Sequence, residues 1–149
     1  KVFSVYKIRT MRLGTKTSFA EEEHYTRFGK FFRKYKLDEV PQIFNILKGE
    51  MKIVGYRPDF QEVYDIMPDH AKKILMTQRP GLTSLASIHF ADEEELLQGQ
   101  EDKFANYYKI IKPSKIFLDV FYIQHRDIFL DIWIIWKTAV IIFKKVFKK

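Results

Sequence analysis

The stretch Arg33 to Phe60 reads RKYKLDEVPQIFNILKGEMKIVGYRPDF, and where it breaks decides how the rest of the chain is read. It opens on cations and a tyrosine, sets two adjacent acids, Asp38 and Glu39, just before a proline, and runs into a Gly-Tyr-Arg-Pro turn. On its amino-terminal side Phe28, Phe31, Phe32 and Tyr35 recur at i, i+3, i+4, i+7, the spacing of one helical face, with Arg27, Lys30 and Lys34 opposite. These aromatics are interleaved with bases, yet their sharing one face reads as core packing rather than RNA stacking. The pattern stops near Leu37. Pro41 is tolerated in a first helical turn, so Asp38 or Glu39 is expected to cap a second helix over Val40 to Leu47, ended by Gly49. The acids then stand at a helix junction beside the positive end of the second helix. MKIVG (51–55) suits a short strand.

Outward from this stretch, VFSVYKIRTM (2–11) alternates polar with β-branched and aromatic residues and predicts a strand. Residues 12–25 read as a loop whose acidic run, 21–23, is a solvated face. Beyond the Arg57-Pro58 turn, 59–77 predicts a helix kinked at Pro68. Arg79-Pro80-Gly81 is a turn, Leu82 to Ile88 a strand, and 92–97 and 103–111 surface helices separated by Gly99. Ser114 to His125 and 128–149 are helical. The fold class expected is α+β: one helix-rich domain over 1–149 with a small β-sheet, its segment 114–149 forming amphipathic membrane-surface helices.

Composition sets the class of partner. The 149 residues hold 26 Lys+Arg against 19 Asp+Glu, a net charge of +7, so an anionic partner is expected. Nucleic acid, anionic lipid and phosphorylated small molecules all satisfy that. The absence of cysteine excludes disulfides, thiolate zinc and thiol catalysis. His24, His70, His89 and His125 have no metal-ligand spacing, and no glycine-rich phosphate loop or Gly-x-Ser-x-Gly elbow occurs. The final helix carries two tryptophans and closes on Lys144, Lys145, Lys148 and Lys149. Asp131, Lys137 and Thr138 interrupt it too often for a spanning helix. A helix lying in the headgroup region is preferred to one packed on the domain or on a second subunit, because only the former uses the lysines.

The residues alone leave two readings of the acid pair open. One is a salt-bridged helix junction. The other is phosphate chemistry, with Arg57 and Arg79, each fixed before a proline, as bidentate clamps and Mg²⁺ recruited by carboxylate and substrate phosphates together.

The same residues carry a resemblance. Tyr6-Lys7-Ile8-Arg9-Thr10-Met11, Thr26-Arg27-Phe28-Gly29 with Arg33-Lys34, and Leu37-Asp38-Glu39-Val40-Pro41-Gln42 with Asn45 and Gly49-Glu50-Met51 follow one another in order. Val54-Gly55-Tyr56-Arg57-Pro58, Arg79-Pro80-Gly81-Leu82-Thr83, Leu118-Asp119-Val120-Phe121-Tyr122-Ile123 and Leu130-Asp131-Ile132 complete the series. The chain resembles the bacterial sugar transferases, the monotopic phosphoglycosyl transferases that move a sugar phosphate from a nucleotide donor onto a polyprenyl phosphate. The resemblance implies Asp38 as nucleophile toward a UDP-sugar and as Mg²⁺ ligand, and Glu39 as base or orienting group. It implies Arg33, Arg57, Lys7, Arg79 and Asp119 as substrate-binding residues. It also implies a polyprenyl (undecaprenyl) phosphate acceptor, the cytoplasmic face of a bacterial membrane, no nucleic acid, and compatibility with a homodimer. The family's membrane hairpin would lie before Lys1. Tyr56 stands where proline is usual, and Ser84 and Ser87 replace a common Gly and Gln, which bears on the shape of the donor pocket. The rival expectation is a non-enzymatic basic amphipathic module for anionic membrane or nucleic acid.

Overall fold

The computed structural model of the protein describes residues 3–13, 24–59, 61–93, 97 and 103–147. The acidic run at 21–23 and most of the helix expected over 92–97 lie outside them.

The stretch quoted above folds as α1 (Gly29–Lys34), a 3₁₀ turn (Leu37–Glu39), α2 (Gln42–Leu47) and β1 (Lys52–Val54). Lys36 enters the turn with φ of +56°. Neither acid caps α2, contrary to expectation: the residue before the helix is Pro41, and no side chain caps it. The reason is competition, since Glu39 is taken by Arg57 and Asp38 by Lys7. Gly49 ends α2 with φ of +72°, a left-handed conformation in which a side chain would be strained. The aromatic face of α1 is not core as expected: Phe28 and Phe31 are exposed.

The strand expected over 2–11 does not form among its described residues. Instead the Ile8 N–H donates to the Asp38 carbonyl at 2.9 Å and the Tyr6 N–H to Asn45 Oδ1 at 3.0 Å. Asn45 Nδ2 donates back to the Ser4 carbonyl at 2.9 Å. A buried side-chain amide thus supplies the hydrogen bonds that a neighbouring strand would have offered. Only Met11 forms an antiparallel bridge, with Tyr25. A Cβ on Gly29 would overlap the Thr10 carbonyl oxygen, so this segment and α1 approach as closely as they do only at a glycine.

The helix expected over 59–77 is broken at Pro68 into α3 (Gln61–Ile66) and α4 (Asp69–Leu75). β2 (Gly81–Thr83) runs parallel to β1, with Lys52 opposite Gly81 and Val54 opposite Thr83. The expected strand 82–88 stops there because Ser84 Oγ accepts the Ser87 N–H at 3.0 Å and starts α5 (Leu85–His89). α6 (Lys103–Asn106) passes through a π turn (Tyr107–Ile111) into α7 (Lys112–His125). The π turn falls where Pro113 has no N–H to give the preceding turn. Asp127 Oδ1 accepts the Leu130 N–H at 2.8 Å and caps α8 (Ile128–Phe147).

The core is two clusters. Tyr56, Tyr64, Met67, Ala71 and Leu75 pack against Ile116, Val120 and Ile123 of α7, while Val54, Tyr122 and Ile134 join Leu85 and Leu130. α8 therefore lies across the strand pair through Ile134, and Thr138 Oγ1 meets Thr83 Oγ1 at 2.7 Å. Its other face leaves Phe129, Trp133, Trp136 and Phe143 exposed. Among the described residues no helix is long and apolar enough to cross a membrane.

Candidate active site

β1 delivers its chain directly into Tyr56-Arg57, and the Arg57 guanidinium reaches back to the 3₁₀ turn. Its Nη1 donates to Glu39 Oε2 at 2.8 Å and its Nη2 to Oε1 at 2.5 Å, the two-pronged geometry in which Arg binds a carboxylate best. Nη1 also donates to the Leu82 carbonyl at 3.2 Å, at β2. The Arg57 N–H points at Asp119 Oδ2, 3.4 Å away on α7. One arginine thus holds together the acid turn, both strands and α7. Burial alone would raise the Glu39 carboxyl, but the Arg57 guanidinium, with Lys36 and Lys7 behind it, outweighs burial and holds it below the usual range.

Asp38 is 1 % exposed. The Lys7 ammonium stands 3.0 Å from its Oδ2, and among the described residues neither carboxylate oxygen receives a hydrogen bond. On a buried acid, an Oδ1 with no partner and an Oδ2 held only by the Lys7 ion pair are costly unless something completes them. Lys7 is 44 % exposed, so the cation paired with Asp38 is itself in contact with solvent. A cavity of about 1330 Å³ opens on the other side of the turn, its wall including Arg33, Lys36, Glu39, Arg57, Lys112 and Asp119. Asp38 lies behind that wall, not on it, but close enough to act on the charge of Arg57. Arg33 is steadied by the Met11–Tyr25 bridge, its Nη1 3.8 Å from Met11 Sδ and its guanidinium over the Tyr25 ring.

Arg33, Glu39, Arg57 and Asp119 of the expected set therefore share one cavity, with the Asp38–Lys7 pair beside it. Arg79 does not join them. Its guanidinium lies at the Gly49 turn before β1 and is not on the cavity wall, whereas that of Arg57 is.

The far wall holds residues that the sequence reading missed. Lys112 pairs with Asp59, and Lys115 with Glu93. Burial, helped by Lys115, pushes the Lys112 ammonium down to about 8. Burial pushes Asp119 up to about 7, against the opposing pull of the Arg57 N–H, Ser84, Lys112 and Lys115. The available signal was spacing: Lys112, Lys115 and Asp119 stand at i, i+3, i+7 on one helical face.

No group of three or more His, Asp or Glu among the described residues could hold a metal ion unaided. Mg²⁺ asks for less, one or two carboxylates with phosphate and water oxygens, and the Asp38 carboxylate, which accepts no hydrogen bond among the described residues, is a donor of that kind.

A family model described as bacterial sugar transferase matches residues 1–145. The chain belongs to this family. Among its relatives, the chain is 27% identical to the undecaprenyl-phosphate galactose phosphotransferase of Salmonella typhimurium, over 97% of its own length and 31% of the relative's. It is 34% identical to the UDP-glucose:undecaprenyl-phosphate glucose-1-phosphate transferase of Xanthomonas campestris pv. campestris, over 93% of its own length and 28% of the relative's. The corresponding figures for the UDP-N-acetylgalactosamine-undecaprenyl-phosphate N-acetylgalactosaminephosphotransferase of Aeromonas hydrophila are 30%, 91% and 31%. The chain thus spans about a third of the length of these relatives.

Proposed function

We propose that the protein transfers a sugar 1-phosphate from a UDP-sugar to a polyprenyl phosphate, undecaprenyl phosphate by analogy with the names of its relatives, at the cytoplasmic face of a bacterial membrane. The observation that carries the reading is the buried Asp38, accepting no hydrogen bond among the described residues and held only by the Lys7 ion pair, one residue from a Glu39 locked to Arg57 on the wall of a cation-lined cavity.

In the first step the Asp38 carboxylate attacks the β-phosphorus of the donor. The new O–P bond replaces the bond to the bridging oxygen, and UMP leaves with that electron pair. The sugar phosphate is now esterified to Asp38. In the second step an oxygen of the acceptor phosphate attacks the same phosphorus, the bond to Asp38 breaks, and the carboxylate is restored. Arg57 and Arg33 hold the phosphate oxygens, and fixed cations of this kind are worth several kcal/mol, of order 3, at a transition state. Lys7 swings from Asp38 to the donor phosphates, opening the carboxylate to attack. Glu39 orients the acceptor phosphate through its fork with Arg57. When bound by Asp38 and the donor, Mg²⁺ supplies neutralisation of the charge shared between carboxylate and diphosphate.

The acceptor phosphate lies at headgroup depth, so the cavity has to open at the bilayer surface. The exposed aromatics and closing lysines of α8 dock there.

The test is trapping. The protein is incubated with Mg²⁺ and a UDP-sugar labelled in the sugar, without acceptor, and the label is sought on the chain by mass spectrometry. Label on Asp38 that is absent in Asp38→Asn, with UMP release lost in parallel, is expected. A fully active Asp38→Asn variant removes the mechanism. A basic amphipathic module without activity would bind anionic surfaces in a salt-sensitive way, indifferent to Asp38.

A further inference from the structure

Arg79, left aside by the cavity, belongs to a second gathering of cations. Lys52 Nζ and Arg126 Nη1 both donate to one neutral acceptor, Gln78 Oε1, at 2.8 and 2.9 Å. Arg79, the next residue in the chain, has its Nη1 at the Gly49 turn, 3.5 Å from where a Cβ on that glycine would stand. Among the described residues none of the three forms an ion pair. The carboxylate that acts on Lys52 is Asp131, whose Oδ1 already accepts the Tyr122 hydroxyl at 2.5 Å. Asp127, beside Arg126, is spent on capping α8. The crowding is felt by Lys52, whose ammonium is held below its usual range by burial, then by Arg126 and Arg79. Two cations on one amide oxygen, with a third close enough to act on Lys52, are a site that lacks its anion.

The chain around them says where that anion sits. Each of the converging segments carries exposed apolar residues within a few positions: Leu47 before the Gly49 turn, Met76 before Gln78, and Ile128 and Phe129 after Arg126. A soluble anion needs no apolar surround, whereas a phosphate at a bilayer surface comes with one. We propose that Lys52, Arg79 and Arg126 form a binding site for the phosphate of an anionic lipid headgroup, separate from the catalytic cavity.

The test is partitioning of the protein onto sedimentable vesicles, so its outcome is independent of catalysis. Phosphatidylcholine vesicles with and without phosphatidylglycerol are compared for the parent and for Arg79→Gln/Arg126→Gln. The double variant is expected to lose about 30-fold in partitioning onto the anionic vesicles, with little change on pure phosphatidylcholine. Lys73→Gln/Lys109→Gln, which removes equal charge from exposed positions elsewhere, is expected to lose less than about 3-fold. Arg79→Lys/Arg126→Lys, which keeps the charge, is expected to stay close to the parent. Equal losses in the two charge-removing variants would overturn the site, as would a loss as large in the Lys pair as in the Gln pair. Displacement from the vesicles by inorganic phosphate at constant ionic strength would also overturn it, since the site would then take free phosphate.

Discussion

Arg57 makes two bonds to Glu39 and one to Leu82, so replacing it tests geometry and charge separately. Arg57→Ala leaves a nearly buried carboxylate without its partner. The expected cost is about 1–3 kcal/mol, below that of a fully buried pair because the guanidinium is 36 % exposed and partly screened. Arg57→Lys keeps the charge but cannot make the fork. Its melting temperature should fall less, while UMP release from the donor should drop roughly 10²- to 10³-fold. Asp119 offers a test by pH. Its folded-state value, about 7 against an ordinary 3.8, means that the folded chain keeps a proton that the unfolded chain has released. The stability it contributes is therefore full below the unfolded value and lost as pH rises through about 7. Lys112, lowered to about 8, acts in the opposite sense but only above that pH. Asp119→Asn should accordingly be more stable than the parent at pH 7.5, by no more than about 4 kcal/mol, with the difference shrinking toward pH 4 in thermal melts. At this scale the sequence was informative about identity and silent about company. Asp38, Glu39 and Arg57 could be picked out, but which acid would face the cavity depended on whether Lys7 or Arg57 reached it first.

At the scale of elements, helices with local signals were legible: α2 with its closing glycine, the break at Pro68, and α7 and α8 with their spacing. Failures came where a partner distant in sequence decided the matter. The 3–11 segment has the alternation of a strand, yet Asn45 takes the hydrogen bonds that would have made it one. The strand expected at 82–88 yields to Ser84 because a local cap outcompetes a third pair of ladder bonds. Asn45 thus ties the segment bearing Lys7 to α2, beside the direct bond from Ile8 to the Asp38 carbonyl. Asn45→Ala leaves the Tyr6 N–H and Ser4 carbonyl without their partner, at an expected cost of about 1–3 kcal/mol. Hydrogen exchange at Tyr6 and Ile8 should quicken well before that of Val54, with transfer weakened as Lys7 loses its seat. Equal protection at Tyr6 in variant and parent would mean that other contacts hold the segment.

Across the whole molecule, the apolar residues divide between two tasks. Ile134 is fully buried against the strands, whereas Phe129 and Trp136 of the same helix, with Phe44 and Leu47 of α2, stay in contact with solvent. The net charge of +7 and this much exposed aromatic surface together are what an anionic bilayer would attract, and neither is needed for the core. The division predicts opposite outcomes for substitutions a few residues apart. Phe129→Ser/Trp136→Ser should leave the melting temperature within a few degrees of the parent, since surface changes cost about 0.5 kcal/mol or less each. Partitioning onto vesicles should fall at least about 10-fold, because each lost side chain gives up roughly 1.5–3 kcal/mol of burial in the acyl boundary. Ile134→Asp should do the reverse of this at the level of the fold, putting a charge into the packing that seats α8 on β1 and unfolding the protein outright. Were the double serine variant to melt as early as Ile134→Asp, the outer face of α8 would be packing against the protein's own surface, and the membrane would have no claim on it.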